Sequence, residues 1–163
     1  MAFQSKKYEQ AILYLCSRLG KIKGKKKLAK LLYFVDFDYF EKNQVLFTGE
    51  TYRRLPMGPF PMHMEDVVDK MSNAHKIIVE TKQEYDGYNP TEIYSTKEKP
   101  DISIFSETEK DILDRVIKKY GHLNGKQLEE ITHAEAPYVG TEPKENIDYE
   151  LAYYRGTEFT END

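Results

Sequence analysis

Between Thr48 and Pro61 the chain reads TGETYRRLPMGPFP, and no helix can run through its second half. Pro56, Pro59 and Pro61 lack the backbone N–H that a helix or a sheet ladder uses. Gly58, among them, tolerates backbone angles that other residues avoid. Any fold for this chain must therefore turn a corner here. Glu50 to Leu55 alternates and is rich in Tyr and Thr, which predicts a short strand leading into the corner. Pro56-Met57-Gly58-Pro59 breaks that strand. Pro61 suits the first turn of a following helix, where a missing N–H costs nothing.

The flanks read as helices. Tyr8, Ile12, Leu15 and Leu19 form one stripe of a helix from Ser5 to Leu19. Leu28, Leu31, Leu32, Val35 and Tyr39, widened by Phe34 and Phe37, mark a second from Lys25 to Lys42. Beyond the corner, Met64, Val67, Val68 and Met71 make the apolar face of a third, ending near His75. Ile77 to Val79 and Thr91 to Thr96 read as paired strands across the turn signals Asp86-Gly87 and Asn89-Pro90. With Glu50 to Leu55 they predict a small antiparallel sheet of three strands. Ile102 to Ile104 reads as extended, within a connector.

Ser106-Glu107-Thr108-Glu109 is a capping box opening a helix that carries Ile112, Leu113, Val116, Ile117 and Tyr120 and stops at Gly121. A shorter helix follows from Lys126 to Ala134, and another spans Asp148 to Arg155. The predicted class is α+β, with five or six helices on a small antiparallel sheet. Residues 1–156 read as one domain, and the acidic tail 157–163 is expected to fray. At 163 residues such a domain buries a sufficient core without metal or disulfide. Cys16 is alone and reads as a small core hydrophobe.

Several function classes lose support. The net charge of −4 argues against general affinity for phosphate backbones. The run Lys21 to Lys27 is the local exception, and reads as a solvated linker into the second helix. His63, His75, His122 and His133 form no tight pair and no cysteine cluster exists, so no metal is expected. No nucleophile elbow, phosphate loop or dinucleotide fingerprint appears, so neither a cofactor nor a catalytic residue is predicted. No signal core or membrane-length apolar run is present, which points to the cytoplasm.

What remains is binding. Arg53 and Arg54 point to opposite faces of a strand, so they do not line one anion pocket unless the strand bends. Asp36 lies beside an apolar stripe and needs a partner, for which an arginine of the corner is the natural candidate. An exposed arginine flanked by Tyr52, Met57 and Phe60 has the composition of an interface hot spot.

Three runs then come together. KLAKLLYFVDF (Lys27 to Phe37), TGETY (Thr48 to Tyr52) and LPMGPFP (Leu55 to Pro61), in that order, resemble the Panacea domain, the SocA-like, phage-associated family. Leu128 to His133 followed by Pro137 is similar to the family's late L-T-H-x-x-x-P segment, with Ile131 in the leucine place and Tyr138 where Trp is frequent. The resemblance covers about residues 5 to 155. It implies a non-enzymatic antitoxin that neutralises a protein toxin, usually encoded beside it, by direct binding. The SocA branch implies a proteolytic adaptor that hands the toxin to an ATP-dependent protease. Lacking the extra DNA-binding domain of some members, this chain is not expected to repress its own operon. Partner contacts are expected at Tyr52, Arg53, Arg54, Met57 and Phe60. Asp36, Gly49, Pro56, Gly58, Pro59, Pro61 and His133 are expected to hold the motif's shape. A nucleic-acid or regulatory binding module, or a small ligand-binding protein or enzyme, are the alternative readings.

Overall fold

A computed structural model of the chain describes residues 2–160. Its hub is a long helix. Helix α1 (Ser5–Leu19) leads through strand β1 (Ile22–Lys23) into α2 (Lys25–Asn43). Every residue of α2 from Leu28 to Tyr39 is buried, because the helices Glu107–Tyr120 and Gly125–His133, the strand Gly58–Pro61 and the 3₁₀ segment Tyr149–Arg155 enclose it. A helix with a single apolar stripe would need cover on one side only. Full enclosure means that the charged residues of α2 must find partners inside the protein.

The remaining elements are β2 (Tyr52–Leu55), β3 (Gly58–Pro61), α3 (Met64–Asn73), β4 (Ile78–Lys82), β5 (Thr91–Ser95), α4 (Glu107–Tyr120), α5 (Gly125–His133) and α6 (Ala136–Val139). The 3₁₀ segments are Ile102–Ile104 and Tyr149–Arg155. The class is α+β as expected, and the capping box opens α4 with both of its hydrogen bonds. Asn124 and Gln127 build a second capping box on α5. Ile102–Ile104 is not extended: Asp101 caps it into a 3₁₀ turn. No described helix is long and apolar enough to cross a membrane.

The sheet has a different membership from the expected one. Its order is β1-β5-β4, all antiparallel, so its third strand comes from the lysine run. Tyr52–Leu55 pairs instead with Gly58–Pro61 as a separate two-stranded ribbon. The prolines permit this through their register. Arg54 donates its N–H to Glu145 O and accepts from Lys144 N, while Tyr52 O accepts from Ile147 N. The backbone groups of Tyr52 and Arg54 thus face away from β3. Their opposite residues are Pro61 and Pro59, so each proline occupies a place where the ladder asks for no donor. Pro61 therefore ends a strand rather than starting a helix, and α3 begins at Met64.

The tail is held in its described part. Thr157 donates its N–H and hydroxyl to Glu41, and Phe159 lies 4.6 Å beneath the Arg115 guanidinium. Residues 161–163 lie outside the described residues.

Candidate protein-binding face

The corner rests on three supports from α2 and its neighbours. Asp36 accepts from Thr48 N (3.1 Å), Thr48 Oγ1 (2.8 Å) and Tyr52 OH (2.5 Å). Arg53 and Arg54 are turned elsewhere, and two hydroxyls and a backbone N–H satisfy the carboxyl instead. Burial pushes the Asp36 carboxyl up to about 7, against the pull of its Tyr52 and Thr48 hydrogen bonds. Lys30, one turn and a half earlier, is 1% exposed and donates to Pro59 O at 3.1 Å. Burial lowers its ammonium to about 8. Gly58 leaves room for that side chain: at φ +113°, a Cβ there would stand 2.6 Å from Lys30 Cε. At Gly49, with φ +76°, the N-terminal segment passes so close that Ala2 O lies 2.7 Å from where a Cβ would sit.

The late segment braces the same ribbon from the other side. Tyr138 OH donates to Leu55 O at 2.9 Å, and the His133 ring stacks on the Tyr138 ring at 4.5 Å. Arg54 lies over that tyrosine at 4.4 Å and donates to Tyr138 O (3.2 Å) and Thr141 O (2.7 Å). Motifs far apart in sequence thus meet as one brace.

This bracing sorts the residues expected to meet a partner. Tyr52 is fully buried, with its hydroxyl on Asp36, and is not available. Arg54 is spent on α6, and Phe60 is half-buried against the core. Arg53 stays exposed, with Nε on Asn146 Oδ1 at 3.1 Å. Met57, at the tip of the turn, is 63% exposed. The physical reason is the strand period: alternate residues of so short a ribbon must face the core.

Met57 overlooks a groove that runs past Lys26 and Pro90 toward the β4–β5 turn. Tyr85, Tyr88 and Lys126 continue it, with Lys26 common to both parts. Tyr85 and Tyr88 are 68% and 74% exposed, and their rings meet edge to face at 6.3 Å. Gln83 holds their turn by donating to the carbonyls of both. Large apolar rings presented on a fixed backbone are what protein interfaces use as anchors. The sequence marks Asp86-Gly87 and Asn89-Pro90 as turn signals and does not single out Tyr85 or Tyr88. The available signal was the pair of tyrosines flanking Asp86-Gly87, which have no core to fill.

Four of the five lysines in the run Lys21 to Lys27 are engaged within the molecule. Lys23 pairs with Glu84, Lys25 with Glu65 (3.0 Å) and Lys26 with Glu129 (3.4 Å). Lys27 donates to Gly121 O at 2.7 Å. The three lysines already answered by carboxylates release few counterions on a phosphate backbone.

Comparison with known proteins gives one match. The family model for the antitoxin SocA-like, Panacea domain matches residues 28–138, from α2 to Tyr138 of the brace. No curated protein and no solved structure matches the chain. The matched span holds α2, the ribbon, the sheet strands β4 and β5, and the late brace, so the chain belongs to the SocA-like antitoxin family of Panacea domains.

Proposed function

We propose that this chain is a non-enzymatic antitoxin that neutralises a cognate protein toxin by direct binding, in the cytoplasm. The observation that carries the reading is the family match across residues 28–138. The exposed Met57, Tyr85 and Tyr88 around one groove support a protein partner, because they offer large apolar anchors. Of Tyr52, Arg53, Arg54, Met57 and Phe60, Arg53 and Met57 are the two that are exposed. An adaptor role, handing the bound toxin to an ATP-dependent protease, is a finer form of the same proposal, and it rests on the resemblance to the SocA branch.

The test is co-expression with the open reading frame beside the gene. The expected result is a neighbour that arrests growth alone, is silent with this chain, and co-purifies with it. A toxic neighbour whose toxicity this chain leaves unchanged, with nothing co-purifying, would sink the proposal. Toxin half-life measured with and without this chain separates the two forms: an adaptor shortens it, a simple blocker does not.

A further inference from the structure

We propose that the outer edge of β4 is a self-association surface, pairing antiparallel with β4 of a second copy about a two-fold axis through Thr81. This goes beyond the toxin-binding reading and does not depend on it.

The other strand edges are closed or blunted. The outer edge of β2 is covered by the segment 144–147. Strand β3 carries Pro59 and Pro61, and β1 is only two residues long. Strand β4 ends the sheet and has none of these devices: IVETK contains no proline or glycine and runs five residues. An open edge of this kind is a template for another strand.

Register within the sheet shows which groups face outward. Gly24 N donates to Glu92 O at 2.7 Å, so the backbone groups of Glu92 point toward β1. Thr81 lies opposite Glu92, and Val79 lies opposite Tyr94, two residues along. Both are then non-hydrogen-bonded pairs with β5, and the N–H and C=O of Val79 and Thr81 point out of the sheet edge. A copy centred on Thr81 lets the two threonines exchange both of their bonds.

Side chains select the same register. Ile78, Glu80 and Lys82 share one face of β4, while Val79 and Thr81 share the other. A two-fold axis normal to the sheet keeps like faces together, so the register must be centred on a residue. Centring on Glu80 sets Glu80 against Glu80, and centring on Lys82 sets lysine against lysine. Centring on Thr81 sets Glu80 opposite Lys82 of the copy, twice, in the close non-hydrogen-bonded position, and threonine opposite threonine. Opposite charges and Thr–Thr pairs both stabilise cross-strand neighbours, and like charges there do the reverse. The self-complementarity of charge at one register is what selects a second copy as the occupant. A single strand pair is smaller than the roughly 800 Å² per partner of a standard interface, so the dimer is reversible.

The experiment is analytical ultracentrifugation of the full chain alone, from micromolar to near-millimolar concentration. A reversible monomer–dimer equilibrium is expected. Glu80→Lys should weaken it at least tenfold, and Glu80→Lys with Lys82→Glu should restore it. Thr81→Pro removes an outward donor without touching the ladder to β5, and should leave a folded monomer. A monomer throughout the range overturns the proposal, as does a dimer indifferent to the charge reversal. So does a monomer in which Thr81→Pro instead weakens capture of the toxin, which would assign the edge to a strand of that partner.

Discussion

At the scale of residues, α2 sets the chemistry of the molecule. Its buried charged groups are individually costly and are each held by a named partner: Lys30 by Pro59 O, Asp36 by Thr48 and Tyr52, Asp38 by Arg115 and Arg155. Of the two buried carboxyls on α2, Asp36 has only uncharged partners and Asp38 has arginines, so burial favours the protonated form of Asp36 in the folded protein. Its carboxyl, near 3.8 when solvated, rises to about 7. The folded state then holds a proton that the unfolded state has released. Stability from this group is full below about pH 4, falls as pH rises, and levels off above about 7. Asp36→Asn should remove the slope. Relative to the wild type, the variant should gain stability from pH 4 to 7 by at most about 4 kcal/mol, read from urea unfolding at each pH. Parallel curves for the two proteins would show that Asp36 is ionised in the folded state throughout. Burial also raises the carboxyls of Asp38 and Glu135, and the difference between the two proteins removes their contribution.

At the scale of elements, the C-terminal 3₁₀ segment is fastened to α2 by buried charge. Arg155 Nη2 lies 2.5 Å from Asp38 Oδ1 and 2.8 Å from Glu41, and Nη1 lies 3.2 Å from Glu135. Arg115 of α4 meets the other oxygen of Asp38 at 2.6 Å. Truncating one partner leaves its buried carboxylates uncompensated, which costs about 3–5 kcal/mol. Arg155→Ala should therefore lower the urea midpoint sharply, and Arg155→Lys should not rescue it, because an ammonium cannot reproduce the fork. A loss below about 1 kcal/mol would show that solvent already screens this cluster. Helices were legible in the sequence because their signals are local: the stripe of α1, the capping box at Ser106, the stop at Gly121. This cluster was not, because nothing near Asp38 or Arg155 in sequence announces the other. The ribbon was missed for a related reason. Proline-rich strands look like loops until pairing shows which positions need no donor.

At the scale of the whole molecule, the structure separates a braced interior from an exposed face, which we propose binds the toxin. The motif residues Asp36, Gly49, Gly58, Pro59 and His133 lie within the braces around the ribbon. Tyr52 and Arg54, expected outside, belong to those braces too. The face they support is made by Met57 and by Tyr85 and Tyr88, whose loop lies outside the motif runs that carried the resemblance. Motif residues were legible because each has a backbone or packing demand. Tyr85 and Tyr88 answer no such demand, so a reading based on fold had no reason to single them out.

The central claim is that this face holds the toxin. Its most direct test is the dissociation constant of the purified toxin complex for wild type and for Met57→Glu with Tyr88→Glu, measured by titration calorimetry. Exposed side chains contribute little to folding, so the melting temperature should stay within about 2 °C. Affinity should fall at least about 30-fold, the loss that a hot-spot residue carries. Unchanged affinity in a normally folded variant would contradict the claim, and the toxin would have to sit elsewhere on the domain.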